Sequence, residues 1–173
     1  MAAITEEDRE RGYRIERPNR DKAVAKATKA TVILLLLVTA ALVLVVTIGG
    51  WSALSGARPV QIAFIVLYVV MAIMTARWSR GALPLAAAFA VILGIFAAVA
   101  GTSWYARDKP GFTNPALPSS VNGLVTLLII PVQLLLIAFA MRAFQQSWNV
   151  ELELPLDDDE DPVPHPGTAA AAR

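Results

Sequence analysis

The run ATVILLLLVTAALVLVVTI, Ala30 to Ile48, contains no charged residue, no proline and no glycine. As a helix rising about 1.5 Å per residue it reaches across a hydrocarbon core of roughly 30 Å. Three more segments have the same character: Val60 to Ala76 within RPVQIAFIVLYVVMAIMTA, Ala82 to Ala100, and Leu124 to about Ala143. The sequence therefore predicts an all-α, polytopic membrane protein, a four-transmembrane-helix bundle with spans of about 30–50, 59–77, 82–101 and 123–144. Hydrophobic residues make up 56% of the chain and charge is confined to the two ends and short gaps, which agrees. The first run is longer than the 7–15 apolar residues typical of a cleaved signal and follows a long basic leader, so it reads as an uncleaved anchor despite the cleavage-like SALS at 52–55.

Three regions follow: a charged leader, 1–29; the transmembrane domain, 30–148; and an acidic, proline-rich tail, 149–173, expected to be disordered. Arg9, Arg11, Arg14, Arg17, Arg20, Lys22, Lys26 and Lys29 fill the leader, and Arg77, Arg80 and Arg142 fall on the same side of the bundle. Only Arg58, Arg107 and Lys109 fall on the other, so the positive-inside rule places both termini in the cytoplasm. Lys22, Lys26 and Lys29 recur at i, i+4 and i+7 and are expected to face anionic lipid headgroups, making membrane lipids the first partners. Trp51, Trp78, Trp104 and Trp148 each stand at a span end and are expected as interface anchors, two at each membrane face.

Small residues recur every fourth position in the third span, at Ala82, Ala86, Ala90, Gly94 and Ala98. Lipid supplies little hydrophobic force between helices, so such a stripe predicts close packing along its whole length. Tyr68 and Gln133 lie at matching depth in the second and fourth spans, and a hydrogen bond between them is expected. The alternative is a polar spot for a ligand or quinone headgroup beside the kink at Pro131. GGWSALSGARP and AGTSWYARDKP echo one another and raise a parallel repeat of two hairpins.

Asp108 is the only acidic residue between Asp21 and Glu151, and the long loop around it, 101–123, is expected to be an ordered connector or a partner-docking surface. Ser119 or Ser120 would cap the fourth helix, and Asn19 or Asp21 would start the first. Val150, Leu152 and Leu154 alternate with glutamates at strand period, which suits an extended, solvated exit from the bundle or a strand added to a partner's sheet edge.

No cysteine is present and His165 is the only histidine, so thiolate sites and axial-histidine haem are excluded, and no catalytic, metal or cofactor-binding residues are assigned. General acid–base catalysis needs paired groups, and coupled transport needs ionisable groups within spans; neither pattern is found. Acids interspersed among the leader's arginines argue against nucleic acid. The expectation is a small non-catalytic membrane protein, an accessory or scaffold subunit associated with other membrane-protein subunits. The alternatives are an oligomeric permeation or export module, with homo-oligomer formation, and a regulator acting through its charged tails. WYARDKPGFTNPAL and LLIIPVQLLLIAFAMRAFQQSWNVELE resemble uncharacterised four-helix integral membrane proteins of actinobacteria, over the second half of the chain. That resemblance implies a location in a bacterial cell membrane and carries no activity. Arginine outnumbers lysine eleven to four, which fits a GC-rich bacterial genome.

Overall fold

The computed structural model describes residues 12–107 and 115–155. Four long helices dominate it: α1 (Ala23–Gly49), α2 (Arg58–Ala76), α3 (Ala82–Ala106) and α4 (Ser119–Gln145). A short strand β1 (Tyr13–Glu16) and one helical turn (Pro18–Asp21) precede them, and β2 (Leu152–Pro155) follows. All four long helices are apolar and long enough to cross a membrane.

Helix ends differ from the sequence reading where polar residues can serve a helix. α1 starts at Ala23, seven residues before the apolar run, and Thr28 within that added stretch turns its hydroxyl back onto Val24 O at 2.8 Å. α3 runs past residue 101 to Ala106, with Ser103 and Thr102 bonded to Val99 O at 2.9 and 3.0 Å. α4 starts at Ser119, so the connector is shorter than 101–123. Neither serine caps α4, whose N-cap is Pro118, and Lys22 rather than Asn19 or Asp21 stands at the N-cap of α1. Asp108, Lys109 and the turn residues up to Asn114 lie outside the described residues, as do residues 1–11 and 156–173, including His165.

α3 and α4 pack along their length, α1 packs against both α2 and α4, and α2 meets α3 only sparsely. The partner of α3 therefore lies within the chain. Its small-residue stripe serves that packing only in part. Ala82, Ala86 and Ala90 are fully buried, Gly94 is partly exposed and Ala98 is exposed. Steps of four residues advance 400° on a helix of 100° per residue, so the row drifts about 40° per step and has left the interface by Ala98. Burial passes instead to Leu93, Ala97, Gly101 and Trp104. α3 and α4 pack tightly at Gly101 and Gly123. A Cβ on Gly123 would stand 2.8 Å from the Tyr105 ring and 3.2 Å from Gly101 O. One on Gly94 would meet Gln133 Cβ at an ordinary 3.8 Å.

The predicted strand after α4 pairs inside the chain, which corrects both the partner-edge reading and the tail boundary at 149. β1 and β2 are antiparallel, with Tyr13 opposite Pro155, Ile15 opposite Glu153 and Glu16 opposite Leu152. Leader and exit therefore leave the bundle at one end. The proposed hairpin repeat does not carry over to the element boundaries. Trp51 and Arg58 flank the α1–α2 turn, whereas Trp104 and Arg107 both belong to the end of α3.

Candidate functional site

Three features of the bundle gather side chains that could do chemistry or bind. The first lies at mid-depth. Tyr68 Oη donates to Gln133 Oε1 at 2.7 Å, and Gln133 Nε2 donates to Thr39 Oγ1 at 3.0 Å. Thr39 passes its own proton to Leu35 O at 2.8 Å. All three side chains are inaccessible to solvent, so a polar chain ties α1, α2 and α4 together at its shortest reach. Gln133 has one partner on each end of its amide, so both its oxygen and its nitrogen are engaged by other helices. Thr39 was the member missed from sequence, because a threonine in a helix reads as self-satisfied by its own backbone.

The second feature is a clasp at the end where both chain termini emerge. α2 ends in a Schellman motif: Trp78 N bonds Thr75 O and Ser79 N bonds Met74 O, both at 3.0 Å. The left-handed position belongs to Trp78, at φ 62°, where glycine is usual. The ring explains why the strain is kept. It stands edge-on to Trp148, with centroids 5.1 Å apart at 83°, and receives Lys29 Nζ at 3.9 Å. Trp148 is completely buried and donates Nε1–H to Gln146 Oε1 at 3.0 Å, while Gln146 Nε2 donates to Thr28 Oγ1 at 3.0 Å.

Around this pair, carbonyls at the end of α4 and just beyond it find donors from distant segments. Arg80 Nε reaches Phe144 O at 3.1 Å, Asn19 Nδ2 reaches Ser147 O at 3.1 Å and Arg20 Nε reaches Trp148 O at 2.8 Å. Cations at a helix C-terminus also complement its dipole. Burial, and secondly the neighbouring Arg17, lower the pKa of Arg20, while Glu151 opposes them. Arg17 pairs with Glu151 at 2.7 Å with both side chains nearly half exposed.

Several predicted roles change here. Trp104 and Trp148, at span ends, are buried within the chain, and Trp51 is exposed. Trp148 packs on Trp78, and Trp104 lies against Gly50, where a Cβ would collide with its ring. Lys29 is partly buried and its ammonium lies over the Trp78 ring. It sits four residues after Ala25 and three before Val32, both buried, so it shares their inward face. Lys22 donates to Asn19 Oδ1 at 2.8 Å, and Lys26 approaches Asp21 at 3.6 Å while remaining exposed.

The third feature is a crevice of about 610 Å³ between α2 and α3, in the half of the bundle away from the clasp. α2 and α3 make few contacts, and Phe64 stands between them, edge-on to Phe89 and Phe96 at 6.3 and 6.1 Å. Its deep walls are Val43, Phe64, Leu93 and Ile129, and its polar lining comprises Gln61, Thr126, Ser103 and Arg107. Nothing in the sequence marks it, since it comes from helix divergence rather than from a motif.

No family model, no curated protein and no solved structure matches this chain. Its function therefore rests on these three features. Among the described residues no group of three or more His, Asp or Glu side chains is placed to hold a metal ion.

Proposed function

We propose that this chain is a small non-catalytic integral membrane protein, an accessory or scaffold subunit of a larger membrane assembly. The observation that carries the reading is the Tyr68–Gln133–Thr39 chain. Each of the three buried side chains that a ligand or proton path at mid-bilayer would use is engaged in joining helices of the same chain. The unit is thereby made rigid at its centre, while the outward faces of α1 to α4 stay apolar, with Leu34, Val66, Ile95 and Leu134 each about half exposed or more. Such faces meet lipid or the helices of another subunit.

In this reading the clasp end lies in the cytoplasm of a bacterium and the Arg58–Arg107 end lies outside. Arg17, Arg20, Lys22, Lys26, Lys29, Arg77, Arg80 and Arg142 all belong to the clasp end, which supports that orientation. The absence of native cysteine makes the topology direct to test. Ser55→Cys should react with a membrane-impermeant maleimide in intact cells and Val150→Cys only after permeabilisation; the reverse pattern refutes the orientation.

The subunit role is tested by mild-detergent capture from native membranes, native gel sizing and mass spectrometry. A different membrane protein at fixed stoichiometry is the expected result. A clean homo-oligomer that conducts solute in vesicles would replace this reading with a permeation module.

A further inference from the structure

The crevice between α2 and α3 has a gradient of polarity along the membrane normal. From Leu93, level with the mid-bundle Gln133 through neighbouring Gly94, to Arg107 at the end of α3, it follows the helix for about 21 Å. One leaflet of hydrocarbon is about half of the roughly 30 Å core, so the crevice spans one leaflet and reaches the headgroup level. Its mouth opens sideways to the bilayer past Val60, Phe96 and Val99, all more than half exposed. A space of this size with apolar walls does not hold water, and unfilled it would forfeit dispersion contacts along its lining. In a membrane, hydrocarbon fills it.

The loop end of the crevice selects which hydrocarbon. Arg107 Nη1 donates to Ala53 O at 3.2 Å, and the guanidinium lies over the Trp104 ring at 5.5 Å, which fixes a cation at the crevice end. The carboxylates among the described residues, Glu16, Asp21, Glu151 and Glu153, all belong to the opposite end of the bundle. In the sequence, three cations (Arg58, Arg107 and Lys109) stand against a single acid, Asp108, in the segments joining the spans at the crevice end. A guanidinium binds phosphate through directed N–H donors, which gives a headgroup both charge and geometry to recognise.

We propose that the crevice binds an anionic phospholipid, one acyl chain between α2 and α3 and the phosphate-bearing headgroup at Arg107. The inference stands whether or not the chain belongs to a larger assembly.

The test uses the full chain, delipidated in nonionic detergent and titrated with phosphatidylglycerol or phosphatidylcholine, with bound lipid counted by native mass spectrometry. One retained phosphatidylglycerol, favoured about five-fold, is expected from the approximate worth of a single arginine against anionic lipid. Arg107→Gln should abolish the headgroup preference. Arg58→Gln, which removes a cation stacked on Trp51 at the same end but outside the crevice, should keep it. Ala100→Trp, and independently Val99→Trp, fill the crevice from exposed wall positions and should cut retention of both lipids, with elution volume and helicity unchanged. Equal retention of the two lipids by the unaltered chain overturns the proposal. So does an equal loss in the two arginine variants, or unchanged retention in folded crevice-filling variants.

Discussion

Replacing Gln133 by Leu removes both interhelical hydrogen bonds of the mid-bundle chain and leaves Tyr68 Oη, in a fully buried side chain, without its acceptor. Thr39 loses less, since it still donates to Leu35 O. Interhelical bonds in membranes average about 0.6 kcal/mol each, and an orphaned buried hydroxyl costs at least about 1 kcal/mol, so Gln133→Leu should destabilise by ~2 kcal/mol. Tyr68→Phe alone removes one bond and should cost about 1 kcal/mol. In the double variant no hydroxyl is orphaned and the shared bond is lost only once, so the loss should fall short of the summed singles by about 2 kcal/mol. Equilibrium unfolding by sodium dodecyl sulfate in mixed micelles, read by far-ultraviolet dichroism, measures all corners of the cycle. Additive losses to within about 0.3 kcal/mol would refute the coupling, and unchanged stability of Gln133→Leu would refute the structural role itself.

Other perturbations separate strain, close packing and surface charge. Ser147 sits at φ 49° just past α4, so Ser147→Gly should stabilise by up to about 1 kcal/mol; a lower unfolding midpoint would contradict this. Gly94→Ala should be neutral or mildly stabilising, while Gly123→Ala drives a methyl toward Tyr105 and Gly101 O and should cost about 1–3 kcal/mol. Equal thermal midpoints for the two variants would remove Gly123 as the close crossing. Glu151→Gln breaks the half-exposed pair with Arg17 and should change stability by less than about 1 kcal/mol, with little dependence on salt beyond about 0.15 M.

The four helices were legible because a span is a long local signal, and the Tyr68–Gln133 bond was legible because depth along two spans can be counted. Contacts set by rotation about a helix axis were harder to read. Lys29 fits an i, i+4, i+7 basic row in sequence, yet its phase follows Ala25 and Val32 and turns it onto Trp78. Ala98 continues a four-residue row whose geometry a helix does not keep. The alternation at Val150–Leu154 announced a strand, but its partner, the four residues Tyr13–Glu16, lies at the other end of the chain among charges that hide it. The crevice depends on how far two helices diverge, which no single residue type encodes.

The clasp also fixes an order of events in synthesis. Gln146, Ser147 O, Trp148 O and β2 are among the last described residues of the chain, while their partners, Thr28, Asn19, Arg20 and β1, are among the first. A nascent chain emerges from its N-terminus, so the leader waits unpaired until the fourth span has been released. A chain truncated before Gln146 carries all its apolar spans but neither Trp148 nor β2, leaving Asn19 and Arg20 without these acceptors. The clasp thus closes only on chains made through β2.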